Sequence, residues 1–282
     1  MKYIDIHSHL GFEDYGSDQK EVIERMKENG VGTIAVGADL ETSKEAVKVA
    51  LQNENIWACI GQHPTHNISS ENFRYSESFN EKEFEKLVSN SKVVAVGECG
   101  LDYFFKGESL VLEGLSLEKV KQKQKELFQK QIEFALKYNK PLMLHIRDGE
   151  VKGEAFNDAY ELLSKYVDFG QGLSLSELRG NVHFFTGKLE MAQKFIALGF
   201  TISFTGLITY VRDFDKIIKN VPLQSLHAET DAPFVAPVPH RGERNEPSYV
   251  IEIYKKIAEI RGEDPELVRL QLLKNAKEVF DI

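Results

Sequence analysis

The stretch YIDIHSHL, residues 3–10, places His7 and His9 two positions apart in a run that otherwise alternates like a β-strand. Side chains at i and i+2 of a strand share a face. The two imidazoles are therefore expected to point the same way, together with Asp5, with Ile4 and Ile6 on the opposite face. Burying both rings without partners costs several kcal/mol, and metal ligation would satisfy both at once. Further ligand types recur downstream: His63 in GQHPTH, Glu98 in VAVGECGLD, His145 in PLMLHIR, His183 in NVHFFTG and Asp231 in HAETDAP. Four histidines (His7, His9, His145, His183) and two carboxylates (Glu98, Asp231) exceed the needs of one tetrahedral ion. They suit two divalent ions roughly 3.5–4 Å apart, with a carboxylate bridging them, and Glu98 is the natural bridge. The imidazoles favour Zn²⁺, Mn²⁺ or a similar ion over an all-oxygen Mg²⁺ site. In such a pair one ion activates water and the other polarises the scissile bond; Asp231 is placed to orient or deprotonate that water.

Such residues need elements to carry them. Short apolar runs predict strands at Tyr3–His9, Thr33–Val36, Ile56–Gly61, Val93–Glu98, Leu142–Arg147, Asn181–Phe185, Thr201–Phe204 and Leu226–Glu229. Longer amphipathic runs separate them. DQKEVIERMKENG carries Val22, Ile23 and Met26 on one face and stops at Gly30. The longest predicted helix, SLEKVKQKQKELFQKQIEFALKYNKP, has a stripe of Val120, Leu127, Ile132 and Leu136 and is closed by Pro141. Two further helices, EPSYVIEIYKKIAEIRG and EDPELVRLQLLKNAKEVF, end the chain. Eight strands alternating with helices imply a parallel sheet, and eight is the number that closes a (β/α)₈ TIM barrel. A ligand-type residue then stands near the C-terminal end of six of the eight strands, the face on which such barrels carry their active sites. In that barrel Ile4 and Ile6 would pack on the outer helices and Asp5, His7 and His9 would face inward. The segments 103–115 and 168–180 are too irregular for regular elements and read as insertions, the first at the mouth as either a lid or a surface loop.

Composition narrows the function classes. The 282 residues carry no Pro/Ser-rich linker or repeat, which predicts a single domain over 1–282. A net charge of −9 argues against a broad basic face holding nucleic acid, though not against an enzyme that grips a nucleic-acid end through metals and a few arginines. Two cysteines, Cys59 and Cys99, without CxxC spacing suit a reducing compartment and plain packing. No signal peptide and no apolar run near ~20 residues is visible, so the expectation is a cytoplasmic protein with no membrane partner. Oligomeric state is left open, with a monomer compatible.

The motifs DIHSHL, GQHP, VGECGLDY, PLMLHIRD, HFFTG, ETDAPFVAP and RGERNEPSYV, closed by LLKNAKEVF, occur in one order over nearly the whole chain. This set resembles the TatD family of metal-dependent hydrolases, within the amidohydrolase superfamily. The resemblance implies a (β/α)₈ barrel with two or three divalent metals. It also implies phosphodiester hydrolysis, most often as a 3′→5′ exonuclease on single-stranded DNA and sometimes RNA. Carried over by motif, the ligands are His7, His9, Glu98, His145, His183 and Asp231. Glu98 takes the bridging position that a carbamylated lysine fills in some relatives. Glu229 is open between a further metal contact and an inward structural carboxylate. His63 matches a histidine near the phosphate site, as substrate contact, outer-sphere residue or structure. Asp102 and Arg147 can pair with or orient ligands, and Arg147 can also meet a phosphate through its guanidinium fork. Arg241 and Arg244 both stand open between a phosphate contact and a loop salt bridge, with the salt bridge slightly favoured for Arg244.

The sequence also departs from the family pattern. HFFTG replaces the usual His-Cys-Phe-Ser-Gly, keeping His183 and a hydroxyl at Thr186; Thr65 stands where a second histidine is common, with His66 one place later. The loop after GLDY is longer and less basic than is usual, and Phe104 and Phe105 within it either stack on a base of a single strand or cap the core. Two alternatives to a two-metal nuclease follow. The same metals could hydrolyse an amide, lactone or ester, including an aminoacyl ester on tRNA; an apolar pocket formed by 103–115 would favour that, and a phosphate pocket of Arg147 and Arg241 the nuclease. A non-catalytic scaffold requires a lost ligand, and none of the six is missing.

Overall fold

In the computed structural model, which describes residues 1–67, 79–104, 116–167 and 178–282, apolar runs form strands and amphipathic runs form helices in alternation. The strands are β1 (Tyr3–Ser8), β2 (Val31–Val36), β3 (Ile56–Ile60), β4 (Val93–Asp102), β5 (Leu142–Arg147), β6 (Gly180–Val182), β7 (Phe200–Phe204) and β8 (Leu226–Ala228). The helices are α1 (Gln19–Glu28), α2 (Leu40–Leu51), α3 (Glu81–Val88), α4 (Leu117–Lys137), α5 (Glu154–Ser164), α6 (Leu189–Ala197), α7 (Asp215–Asn220), α8 (Val250–Arg261) and α9 (Pro265–Phe280). Local chemistry sets several ends. Asp39 Oδ1 accepts from Thr42 N (2.7 Å) while Thr42 Oγ1 accepts from Asp39 N (3.0 Å), a reciprocal cap that starts α2. Gly30 stops the α1 segment in a left-handed conformation, φ +68°.

All strands pair in parallel in sequence order, β1 through β8. The circle closes just beyond β8, where Asp231 N donates to His7 O (2.9 Å) and His9 N donates to Ala232 O (2.7 Å). This is the (β/α)₈ barrel that the alternation predicts. An outer core joins helices to the barrel wall, for example Val22, Met26, Val47, Leu127 and Ile132 against Ala35, Ala58, Ile60 and Leu144. An inner core of Ile4, Ile6, Ile34, Val36, Cys59, Val94, Ala95 and Met143 fills the barrel, and α9 adds Ala276 and Phe280 to it. Among the described residues, no helix is long and apolar enough to cross a membrane.

Several local expectations are corrected. Ile4 and Ile6 belong to the inner core, with Ile34, Val36, Cys59 and Met143 and the end of α9, and not to the outer core that joins α1, α2 and α4 to the wall. Asp5 does not share a face with His7 and His9; it bonds to Thr230. The cause is a register shift in the β1–β2 pair between Asp5 and Ser8. A bulge places two residues opposite one and reverses the alternation beyond it, so both Ile6 and His7 turn inward. The same device recurs on β4, whose pairing shifts against β3 at Val94 and against β5 between Val96 and Cys99. Without that second shift Glu98 would share a face with Val96, which lies in the outer core. β4 also does not stop at Glu98 but runs on to Asp102. Gly97 (φ +152°) and Gly100 (φ +140°) permit this course, since a Cβ on either would overlap the β5 backbone at Met143 O and His145 O. β1, β6 and β8 end earlier than predicted, which leaves His9, His183 and Glu229 just beyond the strands. Of the two insertions, 105–115 and 168–177 lie outside the described residues; Tyr103 N is tied to Arg147 O and Gly180 starts β6.

Candidate metal centre

The six ligand-type side chains converge at the C-terminal mouth in two clusters that share one carboxylate. In the first, His7 Nε2 and His9 Nε2 lie 3.4 Å apart. Glu98 Oε2 lies 3.8 and 3.6 Å from these atoms, and Asp231 Oδ1 lies 3.7 and 3.5 Å from them. In the second, Glu98 Oε1 is 2.8 Å from His145 Nδ1 and 2.9 Å from His183 Nε2, which are themselves 3.3 Å apart. His63 Nε2 approaches the same oxygen at 3.7 Å. The groups His7–His9–Glu98, His7–His183–Asp231 and His63–Glu98–His145 each hold three ligand atoms within 4.8 Å of one another. So many imidazole nitrogens and carboxylate oxygens, buried and aimed at shared points, form a donor set that fits divalent cations.

Outer contacts decide which ring nitrogen faces each cluster. His9 Nδ1 lies 3.0 Å from Val36 O. A carbonyl only accepts, so Nδ1 carries the proton and Nε2 presents its lone pair. His145 Nε2 lies 3.1 Å from Asp102 Oδ2, which leaves Nδ1 for the cluster. His183 Nδ1 stands 3.7 Å from Glu229 Oε1, beyond hydrogen-bond length, while that oxygen accepts from Phe184 N. Burial alone would raise Glu98, but the surrounding His183, His63 and His145 hold its carboxyl well below the usual range. Burial pushes Asp102 up, but the bond to His145, the charges of His145 and His63 and the Phe104 N–H together hold it below the usual range. Burial opposes charge on His145, yet Asp102 and Glu98 at its two nitrogens push it up to about 9. His7 is driven well below the ordinary value by burial and then by the neighbouring His183. Burial keeps Glu229 raised.

The TatD-related DNase family matches residues 4–281. A Bacillus subtilis protein described as an uncharacterized metal-dependent hydrolase, YabD, is 34% identical over 99% of this chain and 98% of its own length. The Escherichia coli K12 protein YcfH, described in the same words, is 30% identical over 93% of this chain and 89% of its own. Among solved structures, the E. coli TatD homolog YjjV superposes with a TM-score of 0.82 at 25% identity, covering 100% of this chain and 98% of that one. The chain belongs to the TatD family of metal-dependent hydrolases.

Other residues of this TatD-family chain fall into place around the centre. Asp102 and His63 lie against the second cluster. Glu229 faces His183 and accepts from the Phe184 backbone N–H, and its Oε2 has no hydrogen-bond partner among the described residues. Arg147 is exposed at the rim, its guanidinium 4.0 Å from the Phe104 ring centroid. Arg241 is exposed, its guanidinium 4.4 Å from the Tyr210 ring centroid. Arg244 binds Asp18 and the Asp14 carbonyl, a loop anchor. Three contributors escape a reading by spacing. Asp5 accepts from Thr230 N (2.8 Å) and Thr230 Oγ1 (2.6 Å), fastening β1 to the segment that carries Asp231. Phe12 stacks on His9 at 4.3 Å, and exposed Phe234 stands 6.0 Å from the same ring. The APF run flagged Phe234 as a motif member only; Phe12 carries no signal beyond lying three residues after His9.

Proposed function

We propose that this TatD-family hydrolase uses two divalent ions, Zn²⁺, Mn²⁺ or Mg²⁺, to cleave phosphodiester bonds, working from the 3′ end of single-stranded DNA and on RNA where it meets it. The observation that carries this reading is the split of Glu98: Oε2 serves the His7–His9–Asp231 cluster and Oε1 the His145–His183 cluster. The chemistry that two ions would supply here is acidification of a bound water and neutralisation of charge on the phosphoryl oxygens. His7, His9 and Asp231 would hold one ion, His145 and His183 the other, and Glu98 would serve both. Asp231 reaches the mouth with its carboxylate and takes the proton of the attacking water. His63, beside Glu98, is placed to donate to a substrate oxygen.

The rim supports a nucleic-acid end. Arg147 and Arg241 are exposed cations held 4.0 and 4.4 Å from the Phe104 and Tyr210 ring centroids, and their guanidinium forks suit phosphate oxygens. Phe12 and Phe234 beside His9, and Phe104 beside Arg147, offer faces on which unpaired bases stack, worth about 1–3 kcal/mol per base. The exposed apolar groups Phe104, Phe234 and Val238 support a second reading, an uncharged ester or amide substrate. The test is incubation of metal-stripped protein with 5′-labelled single-stranded DNA and Mg²⁺, Mn²⁺ or Zn²⁺ in separate reactions, with His7→Ala as control. A ladder shortening from the 3′ end, metal-dependent and absent in the variant, is expected. An intact oligomer with about two ions bound per chain overturns the nuclease reading and transfers the search to esters and amides.

A further inference from the structure

Two glutamines lie fully buried on the inner face of α4, Gln124 and Gln131, seven residues and so about two turns apart. Each pairs with one backbone residue through both ends of its amide. Gln124 Oε1 accepts from Asp102 N (2.9 Å) while its Nε2 donates to Asp102 O (2.9 Å). Gln131 Oε1 accepts from Gln62 N (2.8 Å) while its Nε2 donates to Gln62 O (2.8 Å). Both pairs complete an edge that the sheet leaves open. β3 ends at Ile60, paired opposite Val96, whereas β4 continues to Asp102, so among the described residues the β3-facing edge of the last part of β4 has no strand beside it. A buried N–H or C=O without a partner costs roughly 1–3 kcal/mol, and a primary amide reproduces the donor and acceptor that a neighbouring strand would offer.

The clamped residues adjoin the second cluster. Asp102 is the carboxylate that holds His145 Nε2, and Gln62 precedes His63, whose Nε2 faces Glu98 Oε1. The first cluster has no such tie to α4; His9 is oriented by Val36 O on β2 and Asp231 by the closure to β1. We propose that Gln124 and Gln131 are positioning residues for the His145-side metal alone, with α4 acting as a strut that sets Asp102, and through it His145, on one side and His63 on the other. The inference rests on the ligand assignment above.

Outer-shell partners of metal ligands typically account for 10–100-fold in affinity. Gln124→Met keeps the side-chain length and removes both bonds. The test measures Mn²⁺ and Zn²⁺ affinity by equilibrium dialysis in two backgrounds, His9→Ala to cripple the first half-site and His145→Ala to cripple the second. Gln124→Met is expected to weaken binding about 10-fold or more in the His9→Ala background and less than about 2-fold in the His145→Ala background. Gln131→Met should act in the same direction, and it carries the test if Gln124→Met does not fold. Asn275→Leu is the matched control, because Asn275 also donates two buried bonds to backbone carbonyls, Leu223 O and Leu226 O (both 2.8 Å), far from the ligands. It should lower the melting temperature without changing either affinity. Equal weakening in both backgrounds, or weakening matched by Asn275→Leu, overturns the positioning role. If the unmutated protein binds neither metal, the ligand assignment itself falls, and a wild-type protein that binds two ions while Gln124→Met and Gln131→Met discriminate nothing refutes this inference alone.

Discussion

Glu98→Gln tests the shared carboxylate with almost no change of shape. The Glu98 side chain is buried, with one oxygen 2.8–2.9 Å from His145 and His183 and the other 3.6–3.8 Å from His7 and His9. A glutamine retains one oxygen and must turn an NH₂ toward one cluster, because neither orientation offers acceptors to both. The group that faces the NH₂ loses a ligand and gains a donor where a cation belongs, and both groups lose a negative charge. Removing a partner one shell further out costs 10–100-fold in metal affinity. Loss of a direct, shared ligand should therefore exceed 100-fold for the affected ion, more than about 2.8 kcal/mol at about 1.4 kcal/mol per tenfold. The second ion should weaken as well, by loss of charge alone. Titration calorimetry with Mn²⁺, backed by elemental analysis after gel filtration, should show stoichiometry falling from about two ions to about one per chain. Catalytic activity on whichever substrate is found should fall with it. Two ions retained at parental affinity would refute the bridging role and with it the two-metal reading.

Three further outcomes follow from the same geometry. Asp102→Asn keeps an oxygen for Phe104 N but presents an NH₂ to His145 Nε2, which forces the ring proton onto Nδ1, the atom that faces Glu98; Mn²⁺ affinity of the second half-site should drop 10–100-fold in dialysis, and an unchanged affinity would exclude the tautomer argument. Gly100→Ala places a Cβ against His145 O at φ +140°, where L-residues are strained, so denaturant unfolding should show a loss of about 1–3 kcal/mol together with weaker metal binding; a neutral result would mean that β4 and β5 are not held as described. His227, on β8 beside Phe280, has neither ring nitrogen hydrogen-bonded among the described residues, and burial lowers it to about 3. Its folded value lies below its unfolded one, so between about pH 6.5 and 3 the unfolded state binds the extra proton and the fold loses stability as pH falls, by about 1.4 kcal/mol per unit. His227→Leu should remove that slope, so that the stability difference from the parent is constant above about pH 7 and grows below it; curves that stay parallel down to pH 4 would contradict the neutral buried state.

Much of this protein is readable without coordinates. Strand and helix order follow from the change of hydrophobic period, and the ligand types stand out because apolar strands otherwise end without histidines or acids. His7, His9, Glu98, His145, His183 and Asp231 come from five separate strand regions, yet a barrel puts all strand ends on one face, so topology alone brings them near one another. Spacing within a strand is less informative, because it assumes unbroken alternation. The bulges at Ile6–His7 and Gly97–Glu98 leave no mark on composition, and they reverse which residues face in. Asp5, by spacing a partner of the two histidines, consequently turns to Thr230, while Ile4 and Ile6 fill the barrel. The GECG glycines were visible as residue types, but only the closeness of the β5 backbone explains why a side chain is excluded there.

The sequence by itself therefore determined the order of elements, the closure number and which side chains are candidates for holding metal, because these depend on local periodicity and side-chain chemistry. Tertiary structure alone decided how the ligands divide. Glu98 serves two clusters because register shifts aim it between β1 and β5, and each ring nitrogen is chosen by a group distant in sequence, such as Val36 for His9 and Asp102 for His145. Gln124 and Gln131 carry no signal in the sequence, because their partners at Asp102 and Gln62 come beside them only where β4 outruns β3. Hydrogen bonds of this kind satisfy backbone groups stranded by the particular lengths of neighbouring strands, and those lengths are set by packing among segments far apart in the chain.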